Sequence, residues 1–135
     1  MSLSFPTIDE VHDMLDTIAE GIPQAIFKEL NKGIVLLPQV KLHPESDPSQ
    51  VLYILGEYTS NRTGRQIVLY YGSFRQSFPG RSRERLYKEL KNTLYHEFVH
   101  HLEGLAGDYD LEVEDRISLE RYKQRLRSAQ ESKGE

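Results

Sequence analysis

Apolar residues recur at three- and four-residue steps in two long stretches, with short continuous apolar runs between them. In the first stretch Ile8, Val11, Leu15 and Ile18 share one helical face. Thr7, with Glu10 three residues on, supplies a capping box, so the pattern predicts a helix over 7–20. Gly21 and Pro23 stop it. A short helix is expected over 24–30, ending at Asn31 and Gly33. Ile34, Val35, Leu36 and Leu37 read as a buried strand, and the three prolines within 38–50 make that stretch a loop. A second strand is expected over 51–58, with Gly56 as a bulge. Asn61 to Gly64 is turn chemistry, and 66–71 reads as a third strand, so that 51–71 forms a hairpin. The stretch 72–80, with Phe74, Phe78 and Pro79, reads as a loop.

The second long stretch runs from Ser82 to about Leu102 and carries Leu86, Leu90, Leu94 and Phe98 at four-residue steps. Gly104 and Gly107 are expected to end it. An acidic stretch, 108–115, follows, then a last amphipathic helix with Ile117, Tyr122 and Leu126, and a tail from about Ser128 that should fray. Together these elements predict an α+β domain: an N-terminal helix, a small mixed sheet of about three strands, one long helix and a C-terminal helix. At 135 residues, 1–135 is expected to form a single domain.

The chain has no cysteine, which excludes a disulfide framework, a thiolate metal site and a cysteine nucleophile. A net charge of −4 gives no general case for nucleic acid. Arg81, Arg83, Arg85, Lys88 and Lys91 make the first half of the long helix basic, but no aromatic or glycine pattern accompanies them, and they read as a solvated face. No apolar run approaches the ~20 residues of a membrane span, and the start of the chain lacks the regions of a signal peptide. A soluble, cytoplasmic protein with no nucleic-acid or membrane partner is expected.

The chemistry concentrates in His96-Glu97-Phe98-Val99-His100, which is H-E-x-x-H inside the long helix. Residues four apart lie on one helical face, about 6 Å apart along the axis, so two imidazoles can hold one Zn²⁺. Glu97 lies about 100° around the helix from His96, where it can reach a water on the metal and take its proton. Phe98, Val99 and Leu102 indicate that this turn packs against a core. His12, among polar neighbours, and His43, in the loop, read as solvated.

A catalytic zinc site takes three protein ligands and one open position. Glu103 shares the helical face of His96 and His100, but three ligands strung along one straight helix reach a metal from one side only. A chain reversal at Gly104 and Gly107 would bring back Asp108, the first acid beyond them, as third ligand, with Glu103, Glu112 and Glu114 as alternatives. His101 points about 100° away from His100 and is expected to bond nearby backbone instead of a metal.

With these residues in view, the chain resembles the small bacterial zincin-like metallopeptidases, a family of minimal zincins with the signature H-E-x-x-H-x-x-G-x-x-D. The similarity runs over about 8–115. It includes the helix ending in Gly21-Ile22-Pro23, the strand from Gln66 to Tyr70 leading into Gly72, and the pair His100-His101. The resemblance implies a zincin-like fold, His96 and His100 as zinc ligands, Glu97 as general base and an aspartate after the glycine as third ligand. This chain departs at that last step: Gly104 is four residues after His100 and not three, and Asp108 is eight after and not six. The expected function is a zinc-dependent metallopeptidase with one Zn²⁺ per chain, acting on a peptide or protein substrate. The alternative is a non-enzymatic binding protein on a degenerate zincin scaffold, with zinc structural or absent. Zincin-like folds add the substrate to a sheet edge, for which the strand 66–71 is the candidate. Tyr70, Tyr71, Tyr95 and Tyr109 are candidate oxyanion donors by residue type.

Overall fold

The computed structural model describes residues 5–108 together with Arg121, Gln124 and Arg127. Of the expected C-terminal helix the structure describes Arg121, Gln124 and Arg127, which are helical; the fraying tail, Tyr109, Glu112, Glu114 and the side chain of Asp108 lie outside the described residues. Among those described, no helix is long and apolar enough to cross a membrane.

Helix α1 spans Ile8–Glu20 and buries Val11, Leu15 and Ile18. Its capping box forms as the sequence predicts: the Thr7 hydroxyl accepts the Glu10 amide at 3.2 Å, and the Glu10 carboxylate accepts the Thr7 amide at 2.8 Å. A single 3₁₀ turn, Gln24–Phe27, follows and buries Ile26. Strands β1 (Ile34–Leu37), β2 (Gly56–Asn61) and β3 (Gly64–Tyr70) make a mixed sheet in the order β1-β3-β2. β1 pairs with β3 in parallel, and β2 pairs with β3 antiparallel. Helix α2 spans Tyr71–Ser77 and α3 spans Arg83–Asp108. The chain is therefore an α+β domain in which α1, α2 and α3 accompany a small mixed sheet.

The core lies between the sheet and the helices. Ile67 and Leu69 of β3 join Leu86, Leu90, Leu94, Phe98 and Leu102 of α3 and the apolar stripe of α1 in one buried cluster. Side chains alternate along a strand, so Val68 and Tyr70 face the other way. They are buried as well, and Lys41 of the 38–54 segment lies over the Tyr70 ring, 5.5 Å from its centroid. That segment approaches α2 closely: the Gly72 amide donates to the Pro38 carbonyl, and a Cβ at position 72 would lie 2.7 Å from the Val40 nitrogen.

Four expectations are corrected. First, 72–80 is not all loop, because 71–77 forms α2. Tyr71, Phe74 and Phe78 recur at helical steps, and Phe74 is completely buried. Second, the strand expected at 51–58 begins only at Gly56, which is no bulge. Its missing side chain allows close packing, because a Cβ there would sit 2.6 Å from Leu69 Cδ2 and 3.0 Å from Thr93 Cγ2 of α3. Third, 66–71 does not form the edge strand: β3 is central, flanked on both sides, and β2 is an edge. Fourth, neither Gly104 nor Gly107 ends α3, which continues to Asp108. A helical glycine costs about 1 kcal/mol relative to alanine, and here the Tyr58 ring packs 3.5 Å from where a Cβ of Gly104 would lie. Packing of a helix face outweighs such a propensity cost.

Candidate active site

The antiparallel pair fixes one wall of the site. Leu55 accepts from the Tyr70 amide at 2.9 Å, so residues 57 and 59 exchange bonds with β3, while Gly56, Tyr58 and Ser60 turn their amides and carbonyls outward. Facing this edge is α3. Ile54, Gly56, Glu57 and Tyr58 on one side and His96, Glu97, His100 and Glu103 on the other line an open cleft of about 520 Å³. Three consecutive residues of β2 line it, as expected of a groove that follows the strand's edge and does not cross a single face.

The helix places the two histidines as its spacing requires. Both are exposed to the cleft, and their Nε2 atoms lie 3.2 Å apart. Two nitrogens that share one tetrahedral Zn²⁺ at about 2.0–2.1 Å lie about 3.3 Å from one another, so the pair fits a metal. Desolvation in the cleft and the neighbouring His100 hold the His96 pKa below its ordinary value, which keeps the imidazole neutral, as a ligand must be. On its other side His100 Nδ1 lies 3.7 Å from Glu103 Oε1, and Glu103 also receives the Arg127 guanidinium at 3.2 Å. Glu103 thus stands on the far nitrogen of His100, where an acid orients an imidazole.

Asp108 does not gain the chain reversal on which its assignment rested. Because α3 is continuous, its backbone stands ~12 Å farther along the axis than that of His100. Among the described residues, His96, His100 and Glu103 do not bring three ligand atoms together. The group that does is His12, Asp13 and Asp16, all exposed on α1 and joined by a 3.4 Å His12–Asp16 contact, as on an ordinary solvated helix face.

Glu97 faces the cleft yet is only 6% exposed, and it has no hydrogen-bond partner among the described residues. Burial, and then the charge of Glu57, push its pKa up to about 7. Glu57 is a site residue that the sequence reading missed. Burial raises its pKa, but bonds from Lys41 Nζ and the Tyr70 hydroxyl, each 2.6 Å to Oε1, outweigh that and hold it below the usual carboxylate value. The turn at Arg62-Thr63 carried a usable signal, because a two-residue hairpin fixes the register and sets Glu57 opposite Val68. Tyr58 was missed as well.

His101 is completely buried, as its 100° offset from His100 implies. It lies 2.8 Å through Nε2 from the Lys28 carbonyl, which can only accept, so Nε2 carries the proton. Nδ1 then accepts from the Tyr58 hydroxyl at 3.0 Å. Glu29, the residue after Lys28, takes the left-handed conformation with φ 67°. Of the candidate oxyanion donors, Tyr70 gives its hydroxyl to Glu57 and Tyr71 gives its own to the Pro6 carbonyl at 2.7 Å. His43 is exposed in its loop and accepts the Glu45 amide.

No protein-family model matches the chain, and no curated protein does. Among solved structures, the chain is similar to a conserved hypothetical protein from Thermo thermophilus, with 29% identity and a TM-score of 0.63. The match covers 76% of this chain and 100% of that one. The likeness agrees with the α+β class read from the elements above.

Proposed function

We propose that this protein is a zinc-dependent metallopeptidase of the minimal zincin kind, which hydrolyses peptide bonds in an extended substrate laid along β2. What carries this reading is the 3.2 Å approach of the two Nε2 atoms beside a buried glutamate that has no hydrogen-bond partner among the described residues. An accidental H-E-x-x-H on a surface helix would leave the glutamate in water.

His96 and His100 would hold the ion, with a third ligand from outside the described side chains. When bound, zinc acidifies the attacking water and polarises the scissile carbonyl. Glu97, poised near neutrality, takes the proton from that water and passes it to the leaving amine. The outward amides and carbonyls of Gly56 and Tyr58 suit main-chain bonding of an added strand, which holds the peptide against α3. A cytoplasmic setting goes with this reading, because a chain without cysteines draws no stability from an oxidising compartment.

One observation favours a second reading, a non-enzymatic binding protein on the same scaffold: His96, His100 and Glu103 do not converge on a common point. Two measurements separate the readings. Mass spectrometry of the purified protein should find about one zinc per chain, lost in His96→Ala. The wild type should cleave a peptide library, and Glu97→Gln should keep the zinc and lose roughly 10²–10⁴-fold in rate. Equal cleavage by Glu97→Gln would rule out the mechanism, and zinc binding with no cleavage by wild type would favour the binding protein.

A further inference from the structure

Two cations from outside the cleft meet acids that line it: Lys41 meets Glu57, and Arg127 meets Glu103. The first pair is closed by the Tyr70 hydroxyl, which shares the same Glu57 Oε1. The second pair leads on to the histidines. Glu103 Oε2 takes the Arg127 guanidinium at 3.2 Å, and Oε1 stands 3.7 Å from His100 Nδ1. The two oxygens of one carboxylate thus face two different groups. The charge of Glu103 also acts at His96, where it opposes the downward pull of burial and of His100 on the imidazole.

Arg127 comes from 24 residues farther along the chain than Glu103. With Arg121 and Gln124 it is helical at three-residue steps, and it is the half-buried one of the three, the others being exposed. An ion pair whose side chains are 41% and 44% exposed is weak and is screened by salt. That weakness argues against a brace for the fold and suits a contact that is made and broken.

We propose that Arg127 is a positioning residue of the histidine pair: it holds Glu103 on the far nitrogen of His100 and so couples the end of the chain to the retention of zinc. The proposal rests on the metal part of the reading above and not on peptide hydrolysis. A carboxylate kept at Nδ1 favours the tautomer with its proton there, which leaves Nε2 free for a metal. At 3.7 Å the imidazole does not itself fix the acid, because that distance is beyond a hydrogen bond. The Arg127 contact on Oε2 keeps Oε1 on that side. Charge alone predicts the opposite effect, since removing a cation near the site would favour Zn²⁺. The sign of the change therefore separates positioning from simple electrostatics.

The test is Zn²⁺ binding to the metal-free full chain, read by competition with a chromophoric chelator. Glu103→Gln should weaken zinc roughly 10-fold or more, the range for loss of an acid behind a ligating histidine. Arg127→Ala should weaken it about 3- to 5-fold, the upper end of what an exposed ion pair transmits, and Arg127→Lys should stay within about twofold of wild type. In the Glu103→Gln background Arg127→Ala should have no effect, and in 1 M salt its effect should vanish. A second readout needs no metal: imidazole ¹⁵N shifts should show the Nδ1–H tautomer of His100 in wild type and its loss in Arg127→Ala. Unchanged or tighter zinc in Arg127→Ala, an effect that survives Glu103→Gln, or an unchanged tautomer would overturn the proposal alone. A wild type that binds no zinc would overturn it together with the metal reading. Zinc coupling without peptide hydrolysis by wild type would sink the peptidase and leave the role of Arg127 standing.

Discussion

One step along α3 separates His100, whose side chain is 49% exposed at the cleft, from His101, which is completely buried. The two have the same chemistry, the same helix and a difference of about 100° in direction. His101 has both ring nitrogens engaged, by the Lys28 carbonyl and the Tyr58 hydroxyl, and ties α3 to the segment before β1 and to the edge strand. His100 turns one nitrogen toward His96 and the other toward Glu103. The inner face of α3 is satisfied by the protein itself, and the outer face exposes its imidazoles at the cleft. The same division separates Phe98, packed edge-on against Phe27 at 5.1 Å, from Glu97 beside it, buried at the cleft without a hydrogen bond among the described residues.

The sharpest break of this contrast is Phe98→Ala. It should cost about 3–5 kcal/mol in urea unfolding, because it empties the centre of a closed cluster. A loss under 1 kcal/mol would show that the inner face is not the stabilising one. Next in size is Glu97→Gln in the metal-free protein. The folded pKa is about 7 against an ordinary 4.5, so burial favours the protonated fold. That contribution is full below pH 4.5 and is lost as pH rises through 7. Glutamine carries no charge to lose, so at pH 8 the variant should be more stable than wild type by about 3 kcal/mol, with no difference below pH 4.5. A pH-independent difference would mean that Glu97 is not held as described.

The two histidines give the smallest and most specific contrast. His101→Ala leaves the Lys28 carbonyl and the Tyr58 hydroxyl without this partner and should cost roughly 2–4 kcal/mol. Burial lowers the His101 pKa in the fold. Its contribution is therefore present above the unfolded value of about 6.5 and is lost as pH falls through the folded value. His101→Ala should remove that acid-side loss from the unfolding curve. His100→Ala should change stability by about 0.5 kcal/mol or less without metal, and should abolish zinc binding. If the two substitutions cost the same, the division between the faces fails.

Much of this was legible in the chain. The capping box of Thr7 and Glu10, the strand Ile34–Leu37 and the burial of Leu86, Leu90, Leu94 and Phe98 follow from local pattern and were found where expected. The motif spacing alone puts His96 and His100 on one face. What misled was punctuation: Gly56, Gly72 and Gly104 read as a bulge, a loop and a helix end. Each instead lies inside or at the start of an element, and at Gly56 and Gly72 the missing Cβ lets a neighbour approach. A glycine that ends a helix and one that sits inside it look the same in a sequence.

The sequence by itself determined whatever depends on neighbours within a turn or a hairpin: the helix faces, the cap, the direction of His101 relative to His100 and the pairing of Glu57 with Val68. These are set by 3.6- and 2-residue periods and by a short turn, which need no distant partner. Only the tertiary structure decided which strand is an edge, that β2 faces α3 across a cleft, and that Glu57, forty residues before Glu97, borders the same cleft. Those arrangements come from burying apolar surface between segments far apart in the chain. That energy depends on how all the elements pack at once, and it leaves no mark at the positions it brings together.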